Sequence, residues 1–264
     1  MKILYFTDTH ITTFKPYNRK DNYYEAVKNK FIEVIEIAEK EQVDYVFHGG
    51  DWFDRPEIDT TVINEFIKII KLFRSPVYTV AGNHDIYIRN PDSLENTMLG
   101  VLEQNNLVRL LHSDEFVILE QDGIRLQLTG KPYQFNIDTK ERKNAYIIKK
   151  RSDADYAINI VHGMLLQEPF PKGVSYTLIR DVTETEADIT LSGHYHSGFG
   201  IIKVGEKYFI NPGSLVRITN YKSELVRRPR VFIIELDKRI DIRQIELISA
   251  LEGNDVLIRE KLLF

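Results

Sequence analysis

The sequence contains no cysteine. Disulfide scaffolds and thiolate metal sites are therefore excluded, and any metal must be held by His, Asp, Glu or Asn, donors suited to hard or borderline cations. It also lacks an apolar run of the length, about eighteen residues or more, that a membrane-spanning helix needs. Its start, "MKILYFTDTH", has neither a long apolar signal core nor a cleavage site, so it reads as a first strand and the chain as cytoplasmic, without a membrane partner. Glycine and proline are sparse, 14 and 9 of 264 residues, while 43% of the chain is hydrophobic and 28% charged. That balance excludes a disordered or fibrous chain and leaves a soluble globular one with a sizeable core. Neither sign of charge dominates: the net charge is -4, which argues against non-specific coating of nucleic acid. A polyanionic substrate would need a local basic patch or a bound metal.

What is present is an alternation of strand-like and helix-like segments. "KILYFT" is a β-type run, and Tyr24, Val27, Phe31, Val34 and Ala38 then recur at helical spacing. "VDYVFHG" comes next as a strand, Val62, Phe66, Ile69, Ile70 and Phe73 as a second helical stripe, "PVYTVAG" as a strand, and roughly Leu94 to Gln104 as a third helix. From about Glu115 the chain turns to hairpins. "FVILE" and "IRLQLTG" flank Asp122 and Gly123, a strong turn signal. "YAINIVHG", "ADITLSGH", "GIIKVGEKYFINPGS", "RVFIIEL" and "IDIRQIEL" supply further strands, the last two about a turn at Asp237 to Arg239. The pattern is α/β, with two packed sheets and outer helices.

The chemically suggestive residues stand where strands end. Asp8 and His10 follow the first strand, Asp51 the second, Asn83 and His84 the third, His162 a later one, and His194 and His196 the next. Loops beyond the carboxyl ends of strands in layered α/β folds converge on one crevice, so residues distant in sequence can meet there. Alone, an Asp-x-His or His-x-His is more often a loop with satisfied polar side chains than a metal site. Together the pieces say more, since five of the 7 histidines fall in this series. His48 and His112 lack such a context and read as packing or ordinary polar residues.

The order D-x-H, G-D-x-F-D, G-N-H-D, H-G, G-H-x-H resembles the signature of the calcineurin-like metallophosphoesterases, over Met1 to about Arg217. The resemblance implies a four-layer α/β/β/α sandwich of two mixed sheets flanked by helices, with two divalent metal ions at the strand ends. Carried over by position, Asp8, His10 and His196 hold one ion, Asn83, His162 and His194 the other, and Asp51 bridges them. Manganese is the implied ion; iron and zinc also suit these donors. In such a centre a water shared by ions about 3.5 to 4 Å apart is activated to attack phosphorus in line with the leaving oxygen. The resemblance gives His84 no ligand role and places it near the leaving group as a proton donor. Asp54 and Asp85 read either as partners that orient His84 or a ligand histidine, or as loop caps.

"TDTHI", "GDWFDRP", "GNHD" and "NPGSLVR" resemble most the DNA repair exonuclease branch of that family, the SbcD-like nuclease subunits. That implies a two-metal phosphodiester hydrolase acting on single- or double-stranded DNA ends, with an SbcC-like coiled-coil ATPase as partner. Arg217, Lys222, Arg227, Arg228 and Arg230 cluster in sequence and read as phosphate contacts or as a solvated face. Phe14 and Tyr17, just beyond His10, could stack on a base or pack the rim. SbcD-like subunits continue into a capping domain, whereas this sequence ends at Phe264. The expectation is one nuclease domain over 1–264, with the capping region absent or truncated. Its tail over about 250–264, including Val256, Leu257, Leu262, Leu263 and Phe264, reads as a docking or dimerising segment or as an ordinary surface helix. The same signature also fits a small-molecule phosphodiesterase or phosphatase. A catalytically silent scaffold fits poorly, because every ligand position and His84 are filled.

Overall fold

The computed structural model describes residues 1–139, 143–170, 173–219 and 221–258. Strand β1 (Lys2–Phe6), helix α1 (Tyr23–Glu41), β2 (Tyr45–His48), α2 (Thr60–Ile70), β3 (Val77–Thr79), α3 (Met98–Gln104) and β4 (Arg109–Leu110) form successive β-α units with parallel strands. The helices start where the sequence supplies an acceptor for free backbone N–H groups. Asn22 caps α1 by accepting from Glu25 N, and Asp59 caps α2 by accepting from Thr61 N. The helix anticipated from Leu94 begins instead at Met98, because Pro91–Asn96 is a 3-10 turn and Thr97 caps α3. In α1 the register differs by one position at its start, with Tyr23 buried and Tyr24 only partly so.

The second sheet begins with the hairpin β5 (Phe116–Gln121) and β6 (Ile124–Lys131), turned by Asp122 and Gly123 at φ 52° and 78°. Such dihedrals define the hairpin turn that Asp-Gly favours. Parallel to β6 runs β7 (Tyr156–His162), and after the short pair β8 (Leu165–Leu166) and β9 (Thr177–Leu178) come β10 (Ile189–Gly193), β11 (Gly200–Val204) and β12 (Lys207–Asn211). The final hairpin, β13 (Arg230–Leu236) and β14 (Ile240–Glu246), returns to the first sheet, where β13 pairs antiparallel with β1. The two six-stranded mixed sheets have the orders β14-β13-β1-β2-β3-β4 and β11-β12-β10-β7-β6-β5.

Ile3, Tyr5, Phe47 and Tyr78 of the first sheet meet Leu126, Leu128, Ile158, Ile160, Ile189 and Leu191 of the second in a shared core. On its other face the first sheet buries Leu4, Phe6 and Val46 against Val27, Phe31 and Val34 of α1 and Phe66 and Ile70 of α2. The outer face of the second sheet is covered more thinly. Val161 and Phe209 pack there against Leu165 of β8 and against Ile137, Tyr146, Ile179 and Val182, which lie on loops and 3-10 turns. Central strands such as β7 are therefore buried almost throughout, as parallel strands covered on both faces must be. No described helix is long and apolar enough to cross a membrane. Val256 ends a single helical turn, Gly253–Val256, and is buried together with Leu257, while Leu262, Leu263 and Phe264 lie outside the described residues.

Candidate metal centre

Five strand ends deliver the site. Asp8 and His10 follow β1, Asp51 follows β2, Asn83 and His84 lie beyond β3, His162 ends β7, and His194 and His196 follow β10. Asp8, His10, Asp51 and His194 adopt the left-handed backbone region, at φ 53°, 44°, 55° and 75°. Asp and His tolerate that region better than most residues, and strain of this kind collects at functional sites. The loops are tied to one another by their backbones. Asp8 N donates to Gly50 O and His10 N to Asp51 O, both at 3.1 Å, and His194 N donates to the Asp8 carboxylate at 3.1 Å. Glycines allow the approach: a Cβ on Gly82 would collide with the Asp51 carboxylate, and one on Gly50, at φ +96°, would lie 2.5 Å from His162 Nδ1.

Three groups of donor atoms result among the described residues, each with its atoms within 4.8 Å of one another; Asp51 belongs to two of them, and the third joins His10, Asp54 and His84. Asp8, His10, Asp51 and His196 form the first. His10 Nε2 is 3.1 Å from His196 Nε2, 3.7 Å from Asp51 Oδ2 and 3.8 Å from Asp8 Oδ1. In the second, His162 Nε2 stands 3.3 Å from Asp51 Oδ2, with His194 nearby. Asn83 Oδ1 is 3.2 Å from His162 Nε2. His162 Nδ1–H donates to Gly49 O at 2.7 Å, so its tautomer leaves Nε2 facing the cluster. Asp51 Oδ2 and His194 Nδ1 are buried and have no hydrogen-bond partner among the described residues. Orphaned buried acceptors of this kind are what a cation would satisfy, and an all N/O donor set fits a divalent ion.

Two buried carboxylates set the electrostatics of the cluster. Burial opposes ionisation of Asp51 and Asp8, yet the surrounding histidines hold both carboxyls well below their ordinary range. Burial, then the charges of His162 and His10 respectively, push His194 down to about 4 and His196 to about 3, so both imidazoles are neutral at pH 7. For His162 burial pulls downward but Asp51 outweighs it and raises the ring to about 9. Binding of a cation there must displace that proton.

His84 stands beside the first group, its ring 4.7 Å from that of His10. Its Nδ1–H donates to the Asp54 backbone carbonyl at 2.7 Å. The Asp54 backbone carbonyl, not its carboxylate, thus holds His84, while the carboxylate lies 3.9 Å from Nδ1 of His10, the other histidine it was expected to orient. Asp85 takes the alternative role, that of a loop cap. Its buried carboxylate accepts from the backbone N–H groups of Gly82, Asp51, Trp52 and Phe53 at 2.8 to 3.2 Å, clamping the Asp51 loop to the Gly82 loop. His84 N then donates to Asp51 Oδ1 at 2.9 Å, fixing that carboxylate from the other side. His48 packs edge-on against Phe6, as its reading as a packing residue anticipated, and Tyr133 flanks the site 5.9 Å from the His194 ring. Tyr133 was missed in the sequence although it follows β6 at the same edge; the strand-end rule, applied to aromatic residues as well, would have found it.

The basic cluster divides. Arg217 and Arg227 are buried, and expecting them to meet DNA was wrong. Arg217 donates to the carbonyls of Arg227 and Leu251, and Arg227 pairs with buried Glu224 and donates to Ser214 O. A guanidinium carries five donors, enough to bind passing loops together, and the sequence cannot distinguish that use from a surface one. Arg228 is exposed and pairs with Glu252, Lys222 is exposed ahead of a short helical turn, and Arg230 donates to Pro212 O. Phe14 and Tyr17 are 60% and 65% exposed, with the Arg55 guanidinium 4.3 Å over the Phe14 ring.

Paired Asp/His groups sharing a carboxylate at the strand ends of a two-sheet sandwich define the class, a phosphoesterase fold with a dinuclear-type site. Residues 1–198 match the calcineurin-like phosphoesterase family, and the chain belongs to it. It is 25% identical over 249 residues to a DNA double-strand break repair protein Mre11 of Methanosarcina mazei, covering 89% of this chain and 36% of that protein. It is 23% identical over 289 residues to a double-strand break repair protein MRE11 of Encephalitozoon cuniculi, covering 95% and 48%. The chain thus spans less than half the length of either relative. A dimetal phosphatase from Danio rerio has the same fold at a TM-score of 0.57 and 11% identity, covering 92% of this chain and 95% of that one.

Proposed function

We propose that the protein is a two-metal phosphodiester hydrolase acting on DNA ends. The observation that carries this reading is the Asp51 carboxylate common to two of the donor groups, with its Oδ2 orphaned between them. Asp8, His10 and His196 would hold one divalent ion and Asn83, His162 and His194 the other, with Asp51 between; manganese is the proposed metal. Such ions supply an activated water and neutralise charge on the phosphoryl oxygens. The chain's own residues do the rest. The Gly49 carbonyl fixes the His162 tautomer, the Asp85 clamp and His84 N set the Asp51 carboxylate, and His84, held through Nδ1, offers Nε2 to protonate the leaving oxygen.

DNA as substrate is supported by the two Mre11 relatives, both named for double-strand break repair, and by the exposed Phe14, Tyr17 and Arg228. A coiled-coil ATPase partner, a homodimer and a cytoplasmic location belong to the same proposal. The test is manganese-dependent digestion of end-labelled single- and double-stranded DNA by wild type and His84→Ala, with a bis-aryl phosphodiester in parallel. DNA degradation that falls roughly a hundredfold or more in His84→Ala, at unchanged metal content, is expected from loss of a general acid. Cleavage of the aryl ester alone would favour a small-molecule phosphodiesterase, and full activity of His84→Ala would remove its assigned role.

A further inference from the structure

Helix α1 buries a lysine on its core face. Lys30 lies among Val27, Phe31 and Val34 and is 4% exposed. Lysine is seldom buried without a counter-charge. Among the described residues its Nζ makes one hydrogen bond, to Ala26 O at 3.2 Å, which leaves two of its three protons unused. Two buried guanidiniums stand beside it. Arg217, 2% exposed, gives three N–H groups to carbonyls, and Arg19, also 2% exposed, gives two to Asp21 and one to Arg217 O. Among the described residues each keeps two of its five N–H donors.

These three cations line one cavity of about 400 Å³, together with Asp21, Glu25 and Leu251. Asp21 is engaged by Arg19, and Glu25 reaches Lys28 at 2.7 Å near the surface. Lys30 and Arg217 have no ion-paired carboxylate among the described residues. Burial, followed by the charges of Arg19 and Arg217, lowers Lys30 to about 8, and burial with the charge of Arg227 lowers Arg217 to about 10, which is how cations short of negative charge behave.

We propose that this cavity is a binding site for an oxyanion of the phosphate class, held by Lys30, Arg217 and Arg19. Spare N–H donors on three separate side chains suit an anion with several acceptor oxygens. The volume falls within the range of small-molecule sites and admits either inorganic phosphate or the phosphate end of a nucleotide. None of the lining residues belongs to the metal cluster, and the proposal does not depend on the reaction proposed above. Its position gives occupancy a consequence. Arg19 lies 5.5 Å over the Tyr23 ring, and the Tyr23 hydroxyl donates to His10 O at 3.2 Å. A bound anion would thus tie α1 and the segment after β12 to the loop that carries His10.

The test is thermal unfolding and calorimetric titration of the chelator-treated full chain with inorganic phosphate, deoxyadenosine monophosphate, acetate and, at matched ionic strength, chloride. Wild type, Lys30→Met, Lys30→Gln and Lys30→Arg are compared. Phosphate at about a hundred times its dissociation constant should raise the wild-type Tm by about 5 °C or more. Affinity should fall roughly tenfold or more in Lys30→Met and Lys30→Gln, and recover in Lys30→Arg. Tighter binding of the nucleotide than of free phosphate would identify a nucleotide site; equal or weaker binding would identify free phosphate. An equal phosphate response in wild type and both neutral variants, a response matched by chloride, or acetate binding as tightly as phosphate would overturn the proposal.

Discussion

Replacing Lys30 by methionine should stabilise the metal-free protein at neutral pH in phosphate-free buffer, by an amount that shrinks as the pH rises. Lys30 sits at about 8 in the folded chain against an ordinary 10.5, with burial the leading cause. At about 1.4 kcal/mol per pH unit, that difference corresponds to about 3 kcal/mol of opposition to folding while the ammonium is charged. The sign comes from proton counting. Between about 8 and 10.5 the unfolded chain keeps a proton that the folded chain has released, so wild-type stability rises with pH across this window. Below it the penalty is complete, and above it the penalty is gone. Methionine is similar in length, carries no charge, and leaves the backbone bonds of α1 in place. Urea unfolding at pH 7 and pH 10, with chelator present, measures the gap between the two proteins. Other titrating groups are common to both and cancel in the difference. A variant less stable than wild type at pH 7, with the same gap at pH 10, would refute the reasoning, because it would mean that Lys30 is compensated by charge or water.

Asp51→Asn should lose both metal ions and activity together, since it removes the one carboxylate that its two donor groups share; elemental analysis showing two ions per chain would contradict the bridging assignment. Arg227→Met should destabilise the protein by about 3 to 5 kcal/mol in urea unfolding, because it strands the fully buried Glu224 carboxylate without its partner. Its DNA affinity per folded molecule should not change, and a large change would restore Arg227 as a surface contact. Phe14→Ala should weaken single-stranded DNA binding by about 1 to 3 kcal/mol if the Arg55–Phe14 stack receives a base, while aryl phosphodiester cleavage stays the same. Equal loss on both substrates would show that Phe14 supports the site instead.

The strand ends made the donor residues legible in the sequence. Asp8, His10, Asp51, Asn83, His162, His194 and His196 each follow an apolar run whose length and periodicity identify a strand, and parallel strands present their carboxyl ends on one side. The outer helices of the first sheet were legible from their stripes, and the β5–β6 turn from Asp122-Gly123. The covering of the second sheet was not, because short 3-10 turns carry too few residues for a period to emerge. The identity of the side chains surrounding the donors was also hidden. Asp85 resembles a loop cap in sequence, and only the folded backbone reveals four N–H groups converging on it. Arg217 and Arg228 are equivalent in a charge run, yet one is buried on carbonyls and the other is exposed.

Those hidden contacts explain how the donor atoms can stay converged while like charges and strained backbones oppose them. Asp8 and Asp51 are both buried and ionised, and the Asp51 charge raises the cost of ionising Asp8 and Asp85. Four donor residues sit in the left-handed region, at a cost of about 1 to 3 kcal/mol for each non-glycine residue. The side chains of the cluster cannot supply the offset, because several of their atoms lack partners. The backbone and the Asp85 carboxylate can. Main-chain bonds join the β1 loop to the β2 loop, Thr7 Oγ1 and His194 N fix Asp8, and Asp85 and His84 N fix Asp51 from opposite sides. Because this scaffold uses groups other than the donor atoms, the lone pairs of Asp51 Oδ2 and His194 Nδ1 remain available, and binding cations there requires displacing the His162 proton more than reshaping loops.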